Sequence, residues 1–393
     1  MRNEKLLNYF KSASKKNNFL MPLKNRHHIL LAIDALTGRG AEKVVVNLAE
    51  GLLKLGHKVG IVIYEDIVEF EIDSRICIYN LKPIFHKGSR IFSRLTDRKN
   101  ANLFQSLLRN IESKNGHIDL ILSALPRIDR ILSRIEDDRI FHVIHNPLSL
   151  QNGIRKNSWR KKLSRIWHMK RMYDGRKIIC VSSGIGDDLI KYVKVRPASL
   201  KTIYNPFDFD ELMSLSNKPF KLPSKLTSKD YIIHIGALTL QQKRQDLLIE
   251  AFALSGLTCK LVLLGKGKDE EKIRALGKRY GISDRIFLAG FQANPLPWIK
   301  HARMLVLSSD YEGFGNVLVE AMAIGTPALS TDCPTGPSEI FSERMRDCLV
   351  ANGNVKALAE KMRKFYAKPP NIDKKNLERF EAAKVAKEYL KLI

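Results

Sequence analysis

Asp310-Tyr-Glu-Gly-Phe-Gly-Asn-Val-Leu-Val-Glu-Ala-Met-Ala-Ile-Gly-Thr-Pro-Ala-Leu-Ser-Thr-Asp-Cys-Pro-Thr-Gly-Pro-Ser-Glu-Ile340 is the stretch against which the rest of the chain is read. The run before it, Met304-Leu-Val-Leu-Ser308, is short, apolar and strand-like, and residues 317–323 have helical spacing that ends at Gly325 and Pro327. Glu312-Gly-Phe-Gly-Asn316 lies between. A strand, a glycine-rich turn and a helix start leave free N–H groups and the positive helix end facing outward. Glycine lets the backbone approach an anion closely, so such a turn suits a phosphate.

Two carboxylates bracket the turn, Glu312 on the loop and Glu320 in the helix. Carboxylates repel phosphate, so beside an anion cradle they fit better as acceptors for sugar hydroxyls on either side of a diphosphate. A nucleotide-sugar has that shape. The same spacing also describes a plain strand–loop–helix with two solvated glutamates.

Outward from this block the chain alternates strand and helix. His28-Ile-Leu-Leu-Ala-Ile33 reads as a buried strand, Gly38-Arg-Gly40 as a turn, residues 41–55 as a helix and residues 58–64 as the next strand. Further strands are expected at 76–78, 118–122, 140–144, 177–181 and 200–203. The pattern lapses into Pro, Ser, Lys and Asp after Asn205, then restarts with strands at 231–235, 260–264, 286–288 and 304–307. Alternation of this kind means parallel sheets covered on both faces. The expected fold is α/β, with two Rossmann-like doubly wound halves facing across a cleft. Residues 1–26 form an N-terminal extension, 27–205 the first half, 206–229 a linker, 230–370 the second half and 371–393 a C-terminal helical segment. Ligands of such sheets bind outside the carboxyl ends of the strands, which places the site between the halves.

The formal net charge of +26 over 393 residues calls for an anionic partner: nucleic acid, a membrane surface or a phosphorylated substrate. No apolar run reaches the length of a membrane span, and residues 1–24 lack the apolar core and cleavage site of a signal peptide. The five cysteines form no Cys-x-x-Cys pair and the ten histidines no His-Glu-x-x-His, so neither a disulfide framework nor a zinc site is indicated.

The Glu-x7-Glu spacing, enclosing Glu-Gly-Phe-Gly-Asn and followed by Gly-Thr-Pro and Asp-Cys-Pro-x-Gly-Pro-x-Glu-Ile, resembles the retaining glycosyltransferases of family 4, which have the GT-B fold. The resemblance runs from about residue 29 to 366. It implies that Glu312 holds the sugar hydroxyls and Glu320 the ribose, while Gly313, Phe314, Gly315, Asn316 and Val317 form the phosphate turn. Gly236-x-Leu-x4-Lys243-Arg244-x-Asp-Leu-Leu-Ile-Glu-Ala-Phe resembles the family's diphosphate segment, although Ala237 stands where an arginine is usual, leaving Arg244 or Lys266 to cover. On its own a Lys-Arg pair there also fits a solvated helix start. Gly38-Arg-Gly40-Ala-Glu42 is similar to the family's Gly-Gly-Ala-Glu loop, which touches the diphosphate or acceptor. His145, at the carboxyl end of the 140–144 strand, is implied to lie beside the transferred sugar, with His142 as the fallback; a loop histidine bonded to backbone is the plainer reading. Phe291 is placed near the base. No covalent nucleophile stands out, which agrees with the front-face route to retention ascribed to these enzymes. Asp208-Phe-Asp210 reads as a turn in the linker, so no metal and no cofactor is expected.

Residues 155–171 form a basic helical stretch in which Trp159, Leu163, Ile166 and Trp167 make an apolar stripe, and a second basic run from 82 to 98 includes Lys87, Arg90 and Arg94. Basic amphipathic helices with tryptophan are typical of membrane surfaces, and a solvated face with core tryptophans is the alternative. The expected protein is a metal-independent hexosyltransferase, peripheral on the inner face of the cytoplasmic membrane. It would carry a hexose or N-acetylhexosamine from a UDP-linked donor to a lipid-linked or phosphorylated glycan, as in lipopolysaccharide, O-antigen or capsule assembly. A GT-B nucleotide-sugar epimerase is one competing reading. A basic nucleic-acid-binding protein is another, although no recognised binding module is present.

Overall fold

The computed structural model describes residues 26–38, 40–82, 90–155 and 159–393, with the side chains of 90–94 excepted. Residues 1–25 of the N-terminal extension and Lys87 lie outside the described residues. The first half runs β1 (His28–Ile33), α1 (Gly40–Lys54), β2 (Lys58–Ile63), β3 (Cys77–Asn80), α2 (Arg90–Asn115), β4 (Leu120–Ala124), α3 (Pro126–Leu132) and β5 (Ile140–Ile144). It continues with α4 (Leu148–Gln151), α5 (Trp159–Tyr173), β6 (Lys177–Cys180), α6 (Ser183–Asp188) and β7 (Ser199–Thr202). The connecting segment contains α7 (Phe209–Ser216). The second half runs β8 (Tyr231–Ile235), α8 (Leu240–Lys243), α9 (Gln245–Ser255), β9 (Lys260–Leu264), α10 (Glu270–Arg279), β10 (Ile286–Gly290), α11 (Leu296–His301) and β11 (Met304–Leu307). It ends with α12 (Asn316–Ala323), β12 (Ala328–Asp332), α13 (Pro337–Ile340), β13 (Leu349–Ala351), α14 (Val355–Ala367), α15 (Lys374–Leu377) and α16 (Ala382–Leu390).

The strands form two parallel sheets, ordered β3-β2-β1-β4-β5-β6-β7 and β10-β9-β8-β11-β12-β13. Every residue of β1, β4 and β5 is buried, as expected of strands covered on both faces. Each sheet reverses its winding at its first strand, between β1 and β4 and between β8 and β11. The crevices at those switch points are where open α/β sheets take ligands. The short strands β12 and β13 extend the second sheet beyond the strands legible in the sequence.

The halves are joined by packing as well as by chain. Tyr204, Phe207, Phe314 and Phe380 stack around the crossover, with ring centroids 5.2–6.4 Å apart. Phe207 N–H donates to Phe380 O and Ala382 N–H donates to Phe207 O, both at 2.8 Å, so the chain returns to the first half at α16. Asn47 on α1 donates to Pro206 O at 2.9 Å, closing the same seam. Phe314 is 2% exposed, a burial worth roughly 2–3 kcal/mol for a side chain of this size. That phenylalanine therefore anchors the glycine turn to the hinge. Asp208 accepts from Glu211 N–H at 2.9 Å and caps α7, so Asp208-Phe-Asp210 opens a helix.

Candidate active site

β11 delivers the chain into the crevice, and its exit is fixed by buried hydroxyls. Ser308 Oγ donates to Lys243 O at 2.8 Å, and Asp310 N–H donates to Gln242 O at 2.8 Å. The end of α8 is thereby docked against the loop that follows β11. This brings Lys243 Nζ to 2.6 Å from Glu312 Oε1, and Ser309 Oγ donates to the same oxygen at 2.5 Å. The Lys243 and Glu312 side chains are 16% and 10% exposed. A charge pair so shielded from water stands only because each partner neutralises the other. Thr335 Oγ1 donates to the Glu312 carbonyl and fixes the loop from behind.

The next residue explains the glycine. A methyl group on Gly313 would stand 1.8 Å from the carbonyl oxygen of His145, so only glycine allows the second half's loop to lie on the first half's histidine. Ser182 Oγ donates to Gly313 O at 2.8 Å, another bond across the halves. Glu339 seconds it, accepting from Ser183 N–H at 2.8 Å and Gly184 N–H at 3.1 Å. Gly315, with φ of 103°, then turns the chain into α12, whose first N–H groups open onto the crevice.

The resulting cleft has a volume of about 490 Å³, within the range of small-ligand sites. From the second half it is lined by Gly236, Ala237, Lys243, Glu312, the turn 313–317 and Glu320; from the first by Gly40, Lys43, Leu125, His145, Asn146 and Asn205. His145 carries a buried Nε2 with no hydrogen-bond partner, and burial pushes its pKa down to about 4. Its ring is therefore neutral at pH 7. Two polar contacts cross the cleft beside the turn: Asn205 Nδ2 donates to Asn316 Oδ1 at 2.7 Å, and Lys43 Nζ stands 3.5 Å from Glu320 Oε1.

The sequence expectations therefore divide. His145, Lys243, Glu312, Gly313, Phe314, Gly315, Asn316, Val317, Glu320 and Gly40 come together in one cleft. Four others do not line it. Arg244 turns through a left-handed backbone (φ 50°) and gives its guanidinium to Asp310 at 2.8 Å and Asp246 at 3.1 Å, so two carboxylates already claim the charge. Lys266 is exposed on the loop after β9, and Phe291 is exposed after β10. Gly38 sits two residues too early; the α1 helix start at Gly40 takes the position at the cleft. His142 is buried beneath the site, with Nδ1 3.0 Å from Asp129 Oδ1 in a network with Ser123 and Tyr173. Leu125, Asn146, Asn205 and Lys43 escaped sequence reading. Asn146, before Pro147, and Asn205, before Pro206, both stand just after a strand, the local signal these two share.

On α5, Ile166 packs toward the core, whereas Trp159, Leu163 and Trp167 are 66%, 56% and 51% exposed. Among the described residues the one acidic trio spaced to share a cation is Glu50, Asp208 and Glu211, none of which lines the cleft. Burial and neighbouring carboxylates push Glu50 up to about 7, and Lys54 is paired with Asp208. Among the described residues no helix is long and apolar enough to cross a membrane.

Residues 38–211 match the family model described as Glycosyltransferase Family 4, and residues 217–384 match that of Glycosyl transferases group 1. A Campylobacter jejuni N-acetylgalactosamine-N,N'-diacetylbacillosaminyl-diphospho-undecaprenol 4-alpha-N-acetylgalactosaminyltransferase is 25% identical over 92% of this chain and 98% of its own. An uncharacterized glycosyltransferase of Methanocaldococcus jannaschii is 34% identical over 44% of each chain. The lipopolysaccharide 1,6-galactosyltransferase of Escherichia coli is 28% identical over 50% of this chain and 54% of its own. The chain thus spans about half the length of the latter two relatives. Among solved structures, the fold is shared with an Anabaena protein crystallised with UDP and glucose, with a TM-score of 0.68 at 17% identity over 93% and 99% of the two chains. It is shared also with a sucrose-phosphate synthase of Thermosynechococcus elongatus, with a TM-score of 0.72 at 18% identity over 93% and 98%. With two parallel-sheet halves meeting at a glycine turn, and family models matched on both, the chain belongs to the family 4/group 1 glycosyltransferases of GT-B fold.

Proposed function

We propose that this glycosyltransferase moves a hexose or N-acetylhexosamine, with retention and without a metal, from a UDP-sugar to a lipid-linked glycan in bacterial surface-glycan assembly. The observation that carries this reading is one cleft lined by both the Lys243–Glu312 pair and His145, whose ring is neutral and whose buried Nε2 has no partner among the described residues. The α12 helix start and Lys243 supply the positive field for a departing diphosphate. Glu312 accepts from the sugar hydroxyls and Glu320 from the ribose. An uncharged imidazole at His145 accepts from, or donates to, a sugar hydroxyl without repelling the cationic character that develops at the anomeric carbon. The acceptor oxygen bonds to that carbon on the face the diphosphate leaves, the carbon–phosphate-oxygen bond breaks, and the acceptor proton passes to the departing phosphate oxygen. No protein nucleophile is needed.

UDP is favoured because the Anabaena neighbour was solved with UDP and with UDP-glucose. A lipid-linked acceptor is favoured by the diphospho-undecaprenol substrate in the Campylobacter relative's name and by this chain's exposed tryptophans on a basic helix. Those tryptophans and Leu163 would rest in the headgroup region of an anionic leaflet. The test is a thermal-shift panel of UDP-, GDP- and ADP-sugars, followed by transfer assays on lipid-linked acceptors with the best binder. Glu312→Ala should abolish transfer in a folded protein. Full activity in that variant refutes the assignment.

A further inference from the structure

Beside the catalytic cleft the first half holds a second cavity, of about 670 Å³, between α2, α3 and α5. Its polar lining is mostly guanidinium: Arg98 from α2, Arg130 and Arg134 from α3 and the turn beyond it, and Arg171 from α5, with Ser133 and His168 beside them. The one carboxylate among them is Asp97, which is buried and already engaged. Arg130 Nε lies 3.0 Å and Arg134 Nη2 3.4 Å from Asp97 Oδ2, so a single negative charge stands against four guanidinium groups. Arg134 Nε is buried and donates to nothing among the described residues. A buried donor left unmade costs about 1–3 kcal/mol, more on a charged group, so this arginine is built to meet an acceptor that arrives from outside.

The cavity shares a wall residue with a small cavity at His145 on one side and lies beside exposed apolar residues of α5 on another. Pro126, at the start of α3, lines it and also lines the small cavity beneath His145; the adjoining Leu125 lines the catalytic cleft itself. On its α5 side Arg171 lies 5.5 Å over the ring of Trp167, one of the exposed α5 residues, and Met169 and Met172 supply apolar lining. The neighbours Leu125 and Pro126 thus set the cleft beside a nest of guanidinium groups, and α5 sets that nest beside a greasy exposed helix face. That is the order of parts in a sugar joined through phosphate to a hydrocarbon.

We propose that the Arg98–Arg130–Arg134–Arg171 cavity is the binding site for the diphosphate that joins the acceptor glycan to its lipid, with the arginines forming charge-assisted, forked hydrogen bonds to its oxygens. This rests on the catalytic reading above and specifies where its acceptor is held. Asp97 fixes the orientation of Arg130 and Arg134, leaving their remaining donors and those of Arg98 and Arg171 for the ligand. Four guanidinium groups on a doubly ionised bridge give planar, paired contacts that lysine does not reproduce.

The experiment is calorimetric titration of the full chain with inorganic pyrophosphate at saturating UDP, which keeps the donor site occupied. Wild-type protein should bind pyrophosphate under those conditions. Arg98→Gln/Arg171→Gln should bind it at least about tenfold more weakly, the loss of one charge-assisted bond or more. UDP affinity should not change, and Arg98→Lys/Arg171→Lys, keeping both charges, should retain binding more fully than the glutamine pair. No pyrophosphate binding by UDP-saturated wild type, or equal binding by the glutamine pair, overturns the proposal. So does a glutamine pair that binds pyrophosphate normally but no longer sediments with vesicles containing phosphatidylglycerol, because the cations would then serve the bilayer surface. The UDP titration alone reads the donor site. If wild type fails to bind UDP, the catalytic reading falls, and pyrophosphate binding by the free protein against the glutamine pair still decides this proposal.

Discussion

Lys243→Ala tests the centre of the site, because the same bond serves stability and chemistry. Removing the ammonium leaves Glu312, 8% exposed, with Ser309 Oγ as the remaining side-chain donor to its carboxylate. Breaking one side of a buried pair costs about 3–5 kcal/mol, and exposed pairs are worth about 0–1 kcal/mol. With side chains 16% and 10% exposed this pair sits near the buried end, so about 3 kcal/mol is expected. At roughly 2.1 cal/mol/K per residue, a whole-chain transition of 393 residues would lose about 4 °C in Tm. Glu312→Gln alone strands the ammonium, and Lys243→Met/Glu312→Gln removes both charges. The double variant should therefore recover most of the lost stability while transfer stays lost, in a double-mutant cycle read by urea unfolding. Transfer in Lys243→Ala should drop about 100–1,000-fold in kcat, the usual effect of one lost donor to a developing oxyanion. The reasoning is refuted if Lys243→Ala keeps its Tm and its kcat within a few-fold, or if the double variant is no more stable than either single one.

Other perturbations separate the remaining parts. The folded-state pKa of His145, about 4, lies below its ordinary 6.5, so the native state binds fewer protons than the unfolded chain between those values. The stability present at neutral pH is then lost as pH falls through that window, by up to about 3 kcal/mol. Urea midpoints from pH 7 to 4.5 should fall less steeply in His145→Ala, and an unchanged slope would count against a neutral buried ring. Leu125 holds φ 84° and ψ 146°, a backbone region that costs a non-glycine residue about 1–3 kcal/mol. Leu125→Gly should therefore unfold no earlier than wild type, yet divert more donor sugar to water because the cleft loses that wall. Equal partition between transfer and hydrolysis would show that the strained leucine is not a wall of the reaction chamber.

The part of the site most legible in sequence was the part written in backbone chemistry. Met304–Leu307, the glycine turn and the helix from Asn316 announce themselves by apolar run, glycine and period, and Gly325 and Pro327 close the helix. β12 did not, since Ala-Leu-Ser-Thr-Asp mixes small and polar residues, and β13 has only three residues. Side chains whose role depends on a distant partner were less legible. Arg244 looked available for diphosphate until Asp310 and Asp246 were seen to hold it, a pairing that spacing does not encode. Leu125 and Asn146 reach the cleft because β4 and β5 end beside it, which is a property of strand order. The cationic nest falls in the same class: Arg98, Arg134 and Arg171 lie 36 and 37 positions apart and meet only when three helices pack.

Gly313 has a mechanical consequence. Its carbonyl is gripped by Ser182, its α-carbon rests on His145, and its neighbour Glu312 lines the cleft, so under the proposed function the loop that would touch substrate is also the contact between lobes. Spent nucleotide would then leave most easily when that contact lifts, and lifting it also withdraws the histidine from its partner loop. On the proposed function, exit and disarming would become a single stroke, and donor cleavage would be suppressed while the lobes are apart.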